Sequence, residues 1–174
     1  KLEMIIEAHP NASFVYNEIY DQTNTSKSLL RALRASQESG VLWLNGDVVF
    51  DHKVLERVAD RIAADKSFVC VNTSATADEE VKYTVDANGN IKELSKTVNN
   101  ALGEAVGINF ISSREKADVI NQLDACGEQD YFERGLELAI EKHGLQMEPI
   151  DISDLFAVEV DFQDDLDRAN KGLK

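Results

Sequence analysis

Residues 42–50 read Leu42-Trp43-Leu44-Asn45-Gly46-Asp47-Val48-Val49-Phe50, LWLNGDVVF, an apolar run broken at its centre by three poor strand formers. Asn45-Gly46 between apolar runs is a hairpin signal, and on that reading Asp47 is only a turn residue. The residues beyond Phe50 point elsewhere. Asp51 and then a helix-period segment succeed it, so the unit reads as strand, short extended tail and helix, with Asp51 placed to cap. An acidic residue at the carboxyl end of a buried strand in an open parallel sheet lies where such folds bind ligands, because the loops diverge there and leave a crevice. Asp47 is therefore the first candidate functional residue.

Outward from this stretch, apolar runs rich in β-branched and aromatic residues recur at 13–16, 41–44, 68–71, 81–85, 91–94, 106–111, 146–152 and 156–160. Helix-period segments lie between several of them: 26–38 with Leu29, Leu30 and Leu33, 52–64 with Val54, Leu55, Val58 and Ile62, 113–123, and 129–143, which stops at Gly144. The chain also begins on a helical pattern, Leu2, Ile5 and Ile6. Strands alternating with helices of this length predict crossover units and an α/β fold: a Rossmann-like mixed, mainly parallel sheet covered by helices on both faces. Asp86-Ala87-Asn88-Gly89 is a tight-turn signal, so 82–85 and 90–94 are expected to pair as an antiparallel hairpin.

Composition narrows the function. The 174 residues, 43% of them hydrophobic, suffice for one sizeable core, and a single domain over 1–174 is expected. The 18 basic residues against 32 acidic ones give a formal charge of -14, which repels a phosphate backbone, so no nucleic-acid partner is expected. No apolar segment approaches the roughly 20 residues needed to cross a bilayer, and the first residues lack the pattern of a signal peptide. The expectation is a cytoplasmic protein with no membrane partner. Cys70 in an apolar run and Cys126 near Gly127 suggest neither a disulfide nor a zinc site. His9, His52 and His143 have neither metal spacing nor a catalytic partner.

Glu159 and Asp161 alternate with apolar residues in Val158-Glu159-Val160-Asp161-Phe162 and so project to one face of a strand. One reading is an edge strand with its acidic face in solvent. The other is a magnesium site, with few carboxylate ligands and the remaining positions left to water and substrate phosphates; Asp47, Glu159 and Asp161 would supply three oxygen ligands. Lys82 and Lys96 flank the hairpin, where each is either solvated or set to meet a substrate phosphate. Glu104 stands in Gly103-Glu104-Ala105-Val106-Gly107, whose glycines allow a ligand close to backbone.

Taken in order, these stretches resemble the bacterial phosphocholine cytidylyltransferases and related sugar-phosphate nucleotidyltransferases. The resemblance rests on Val15 to Tyr20 followed by Thr23-Asn24 and Ser28-Leu29, on LNGDVVFD from Leu44 to Asp51, and on Val81-Lys82 and Ser95-Lys96 around the hairpin. It continues through GEAVGINFIS from Gly103 to Ser112 and EVDFQDDLDRA from Glu159 to Ala169. What it implies is a magnesium-dependent enzyme that transfers a nucleotidyl group, cytidylyl by this likeness, from a nucleoside triphosphate to a phosphorylated small alcohol or sugar, releasing pyrophosphate. Carried over by position, Asp47 and Asp161 hold magnesium with Glu159 assisting, and Lys96 faces the transferred phosphate with Lys82 as a weaker candidate. Asn24 and Ser28 lie by the base or ribose, Asn45 and Gly46 border the nucleotide, and Glu104 borders the acceptor pocket.

Family members open with a strand and a glycine-rich loop bearing an Arg and followed by a Lys, which cradle the triphosphate. Here Lys1 stands where the helix after that region would lie, so the expectation is an N-terminally truncated domain with an exposed or re-paired sheet edge, in a homodimer. Two other functions compete: a nucleotide-sugar glycosyltransferase of related fold, disfavoured by the lack of an Asp-x-Asp pair at Asp47, and a non-catalytic nucleotide-binding or interaction domain.

Overall fold

The computed structural model describes residues 2–74 and 80–172. In chain order its elements are α1 (Leu2–Ala8), α2 (Thr25–Ala35), β1 (Val41–Leu44), β2 (Val48–Phe50), α3 (Lys53–Ala63), β3 (Phe68–Asn72) and β4 (Lys82–Val85). There follow β5 (Ile91–Ser95), β6 (Gly103–Ile111), α4 (Lys116–Ala125), α5 (Phe132–His143), β7 (Glu148–Asp151), β8 (Ala157–Glu159) and α6 (Gln163–Gly172).

Strand β6 organises the main sheet, whose order is β5-β4-β6-β3-β7 with β1 also paired to β6. Glu104, near its start, lies between Asn72 of β3 and Lys82 of β4, and Phe110, near its end, lies between Phe68 of β3 and Leu42 of β1. One long strand thus holds β3 along one edge and β4 then β1 along the other. All three pairings are antiparallel, whereas β3 and β7 pair in parallel. It follows that β1, β3, β4 and β7 run one way while β5 and β6 run against them. The sheet is mixed and mainly parallel in strand direction, yet most of its ladders are antiparallel, because β6 is inserted against its neighbours.

Helices cover both faces. Val69 and Val71 of β3 point into a core formed with Leu29, Leu30 and Leu33 of α2, Val119 and Leu123 of α4, and Leu136 and Ala139 of α5. Phe68 and Cys70, alternating with them, point into a second core with Val54 and Val58 of α3, Ile108, Phe110 and Ile152. This explains the unbroken apolar run in β3: a strand buried on both faces has no polar side to show. Each fully buried Leu, Ile or Phe here contributes about 1.5–3 kcal/mol relative to exposure. Both cysteines are buried, and burial pushes the Cys70 thiol up to about 12, which leaves it a poor nucleophile.

The expected hairpin is present: β4 and β5 pair antiparallel, and Asp86 Oδ1 accepts from the Asn88 and Asn90 amides across the turn. Helix α5 ends at Gly144, whose φ of +69° is the left-handed conformation that suits glycine, and the Gly144 N–H donates to the Ile140 carbonyl.

Three elements differ from the sequence reading. Residues 13–16 form no strand, and Val15 and Tyr16 are exposed. The 156–160 run does not join the main sheet but pairs antiparallel with β2 as a separate two-stranded unit. A further helix, α6, comes next, its first turn rich in Asp, as suits a helix N-terminus. Helix α1 buries none of its residues, and among the described residues β1 is hydrogen-bonded along one edge only. No helix among them is long and apolar enough to cross a membrane.

Candidate active site

The LWLNGDVVF stretch is neither a hairpin nor one uninterrupted strand. Strand β1 runs to Leu44, Asn45-Gly46-Asp47 turns, and β2 leaves the main sheet to pair with β8 in the register Val48↔Glu159. The Val160 amide donates to the Asp47 carbonyl at 2.9 Å, which places Asp47 beside the carboxyl end of β8, between Glu159 and Asp161 in the chain. A two-stranded ribbon thus fastens two distant acidic segments together at the carboxyl end of β1. Asp51 stands one residue before the cap of α3, which is His52 and makes no side-chain cap bond, but its Oδ1 still accepts from the Lys53 amide at the start of that helix.

Glu159 senses the other two carboxylates. Glu159, half-buried, has its carboxyl pushed up to about 7, first by burial and then by the like charges of Glu80, Asp47 and Asp161; a hydrogen bond from Asn45 acts the other way. Asn45 reaches this position because Gly107 makes room: a β-carbon at Gly107 would stand 2.7 Å from Asn45 Nδ2, and Gly107 has φ +70°. The Asn45 amide also donates to the Gly107 carbonyl at 2.8 Å. Asn45 therefore steadies Glu159. Gly46 has open space around it, on the exposed side of the turn.

A second group lies nearby. Lys96 holds its ammonium 5.3 Å from the centre of the Tyr131 ring, and Lys82 Nζ donates to the Lys96 carbonyl at 3.5 Å. Lys82 is also the register partner of Glu104, and Asn72 Nδ2 donates to Glu104 Oε1 at 3.5 Å. Lys96 and Tyr131 border a cleft of about 180 Å³ between the β5 end and the start of α5, lined also by Val81, Leu94 and Glu133 among others. Glu133 couples the two groups electrostatically. Its carboxyl is pushed up to about 7 by burial, against the attraction of Lys96 and with the repulsion of Glu159 and Glu137.

The structure therefore brings together Asp47, Glu159, Asp161 and Asn45, and gathers Lys96, Lys82 and Glu104 in a second group linked to the first through the charge of Glu133. It does not bring Asn24 or Ser28 into hydrogen-bond contact with either group among the described residues. Asn24 caps α2, its side chain accepting from the Thr25 amide at 2.7 Å, and Ser28 accepts from Asn17 at 3.0 Å. Their helix is tied to the cleft at its other border, since the Asn24 amide donates to the Glu128 carbonyl and the Phe132 amide to Thr25 Oγ1. Tyr131 and Glu133 line the cleft and were not singled out by the sequence reading.

A divalent cation suits the first group. Among the described residues no three His, Cys, Asp or Glu side chains form a ready-made metal cage. Magnesium needs none, since it binds through one or two carboxylates and completes its shell with water and phosphate oxygens. The like-charge stress on Glu159 is what such a cation would relieve.

The comparisons with known proteins bear on the fold and the family. No curated protein matches the sequence. Among solved structures, the inositol-1-phosphate CTP transferase from T. maritima superposes with a TM-score of 0.77 at 13% identity, covering 99% of this chain and 73% of that one. The CTP:phosphocholine cytidylyltransferase from Streptococcus pneumoniae gives 0.69 at 15% identity, again with 99% and 73% covered. Identities this low establish a shared fold and nothing finer. The MobA-like NTP transferase domain matches residues 3–130, most of the chain, so this protein belongs to that family of nucleotidyltransferases.

Proposed function

We propose that this nucleotidyltransferase moves a cytidylyl group from CTP to a phosphorylated small alcohol or sugar, with magnesium held by Asp47 and Asp161 and Glu159 assisting. The observation that carries the reading is the β2–β8 ribbon, which sets Asp47 against the segment bearing Glu159 and Asp161 and leaves Glu159 under like-charge stress. In the reaction a phosphate oxygen of the acceptor attacks the α-phosphorus in line, the new P–O bond forms, and the bond to pyrophosphate breaks. Asp47 and Asp161 would hold magnesium, which would supply positive charge against the charge that develops on the phosphates.

The protein's own part is positioning and charge. Lys96, mobile enough as an exposed side chain to leave the Tyr131 ring, would meet the acceptor phosphate, with Lys82 behind it. Asn45 holds Glu159 in place, Gly46 leaves the turn open to the nucleotide, and Glu104 borders the acceptor. Asn24 and Ser28 would meet the base or ribose at the start of α2.

Incubation of the protein with magnesium, a panel of nucleoside triphosphates and a panel of phosphate-ester acceptors should release pyrophosphate, most with CTP, and Asp47→Asn should lower the rate by two orders of magnitude or more. Pyrophosphate release from no pairing, or an Asp47→Asn variant as active as the parent, refutes the proposal. Release of nucleoside diphosphate from a nucleotide sugar instead would make the protein a glycosyltransferase.

A further inference from the structure

Two cations line the cleft between β5 and α5, and they are held differently. Arg134 is engaged by Glu137 at 3.2 Å and by Glu141 at 3.8 Å. Lys96 has no carboxylate within ion-pair distance among the described residues; its ammonium stands 5.3 Å from the centre of the Tyr131 ring, and that ring is its close partner. The backbone that carries it is fixed as well. The Lys96 carbonyl accepts from Lys82 Nζ at 3.5 Å, and the Thr97 amide donates to Ser95 Oγ at 3.3 Å. Lys96 is thus anchored at its base and held at its tip by a group without charge.

Neither helix nor core accounts for Tyr131. It occupies the N-cap of α5, where Ser, Thr, Asp or Asn would cap best, and its side chain makes no cap bond. The Phe132 amide, the first of that helix, donates instead to Thr25 Oγ1 of α2. The Tyr131 side chain is 48% exposed and belongs to neither buried cluster. What its ring does meet is the Lys96 ammonium. A ring face attracts a cation through its quadrupole, and it neither neutralises the charge nor occupies an N–H that a ligand oxygen would need. A carboxylate in the same place would do both.

We propose that Tyr131 is a positioning residue for Lys96, its ring confining the ammonium to the mouth of the cleft so that a phosphate group entering there meets a positive charge already in place. The inference rests on the nucleotidyl-transfer reading for the identity of that phosphate as the acceptor's. A lysine side chain loses much of its rotamer freedom when a ligand fixes it, and one that is already held loses less. Lys96 therefore binds phosphate more tightly with the ring than without it, by the roughly two- to fivefold that an exposed cation–π contact is worth.

Phosphorus NMR titration of the protein with inorganic phosphate tests this in the parent, Tyr131→Leu, Tyr131→Phe, Lys96→Met and the Tyr131→Leu/Lys96→Met double variant, both positions being exposed. Tyr131→Leu should weaken phosphate binding roughly two- to fivefold, and Tyr131→Phe, which keeps the ring face, should restore it. In the Lys96→Met background Tyr131→Leu should change nothing further, because the ring acts through the ammonium. Parent-like binding by Tyr131→Leu overturns the proposal, as does an equal loss in Tyr131→Phe or the same loss in the Lys96→Met background. Phosphate binding that is absent from the parent, or that Lys96→Met leaves unchanged, overturns it too. In the transferase assay Tyr131→Leu should raise the acceptor KM by the same factor and leave that of CTP unmoved. The two readings fail separately. Phosphate binding with the expected pattern but no pyrophosphate release from any pairing would refute the transferase reaction alone, whereas pyrophosphate release with an acceptor KM that Tyr131→Leu does not change would refute only the positioning role.

Discussion

Replacing Glu133 by Gln should make the protein's stability less dependent on pH, and the direction comes from its burial. In the folded chain the carboxyl is pushed from its ordinary 4.5 up to about 7, mainly by loss of water around it. Below about pH 4.5 the group is protonated in both the folded and the unfolded chain and adds nothing to the difference between them. As pH rises from 4.5 to 7 the unfolded chain releases the proton while the folded one keeps it, so stability falls. Each unit of displacement is worth about 1.4 kcal/mol, and the full window therefore removes about 3 kcal/mol from the parent protein at pH 7.5 and above. Gln fills nearly the same volume and does not titrate. Urea unfolding at pH 4.5, 6 and 7.5 should then show parent and Glu133→Gln differing little at the acid end, with the variant ahead by up to about 3 kcal/mol at pH 7.5. A difference that is flat with pH, or that favours the variant more as pH falls, would show that the carboxylate is solvated in the folded chain and refute the reasoning.

Other substitutions probe the framework. Gly107→Ala meets both a positive φ of 70° and the Asn45 side chain at 2.7 Å, so it should cost about 1–3 kcal/mol in chemical denaturation and, by displacing Asn45 from Glu159, lower nucleotidyl transfer as well. Lys27, 7% exposed, donates to the carbonyls of Leu123, Asp124 and Cys126 at the end of α4; Lys27→Met should cost about 2–3 kcal/mol, read as a lower urea midpoint. Leu136→Ala, at a side chain wholly enclosed between α5 and the sheet, should cost about 2–5 kcal/mol by leaving a cavity, again measured by urea unfolding.

Much of the architecture is readable from local signals, and what escapes is long-range. The turn at Asp86 to Gly89 and the stop at Gly144 are dictated within a few residues by side-chain oxygens and a left-handed backbone, and both appear as expected. The two-faced burial of β3 follows from its unbroken apolar run. The apolar pattern of residues 13–16 is equally strand-like, but a strand needs a partner edge, and the pattern does not say whether the chain meets one. Nor does the 156–160 run reveal that its partner is β2, although that pairing is what unites Asp47 with Glu159. Glu133 leaves a fainter trace: it shares the helical spacing of Leu136 and Ile140, so a charged residue falls on the inward stripe of α5. Helical spacing alone marks that stripe as core and gives no hint of the cleft beside it.

The reversed direction of β6 bears on how the chain acquires its structure. Among the described residues β1 finds its only ladder partner, and β3 its earlier one, in residues 103–111, so as the chain grows two apolar strands are made before either has a strand to pair with. The β4–β5 hairpin can close early from local contacts, but it too docks onto β6. Ordering of the sheet is thus a late, cooperative event with large loop-closure entropy, and folding should be slow for a chain of this size. Until Ile111 is in place, the aliphatic side chains of β1 and β3 are the surface on which chaperones would act.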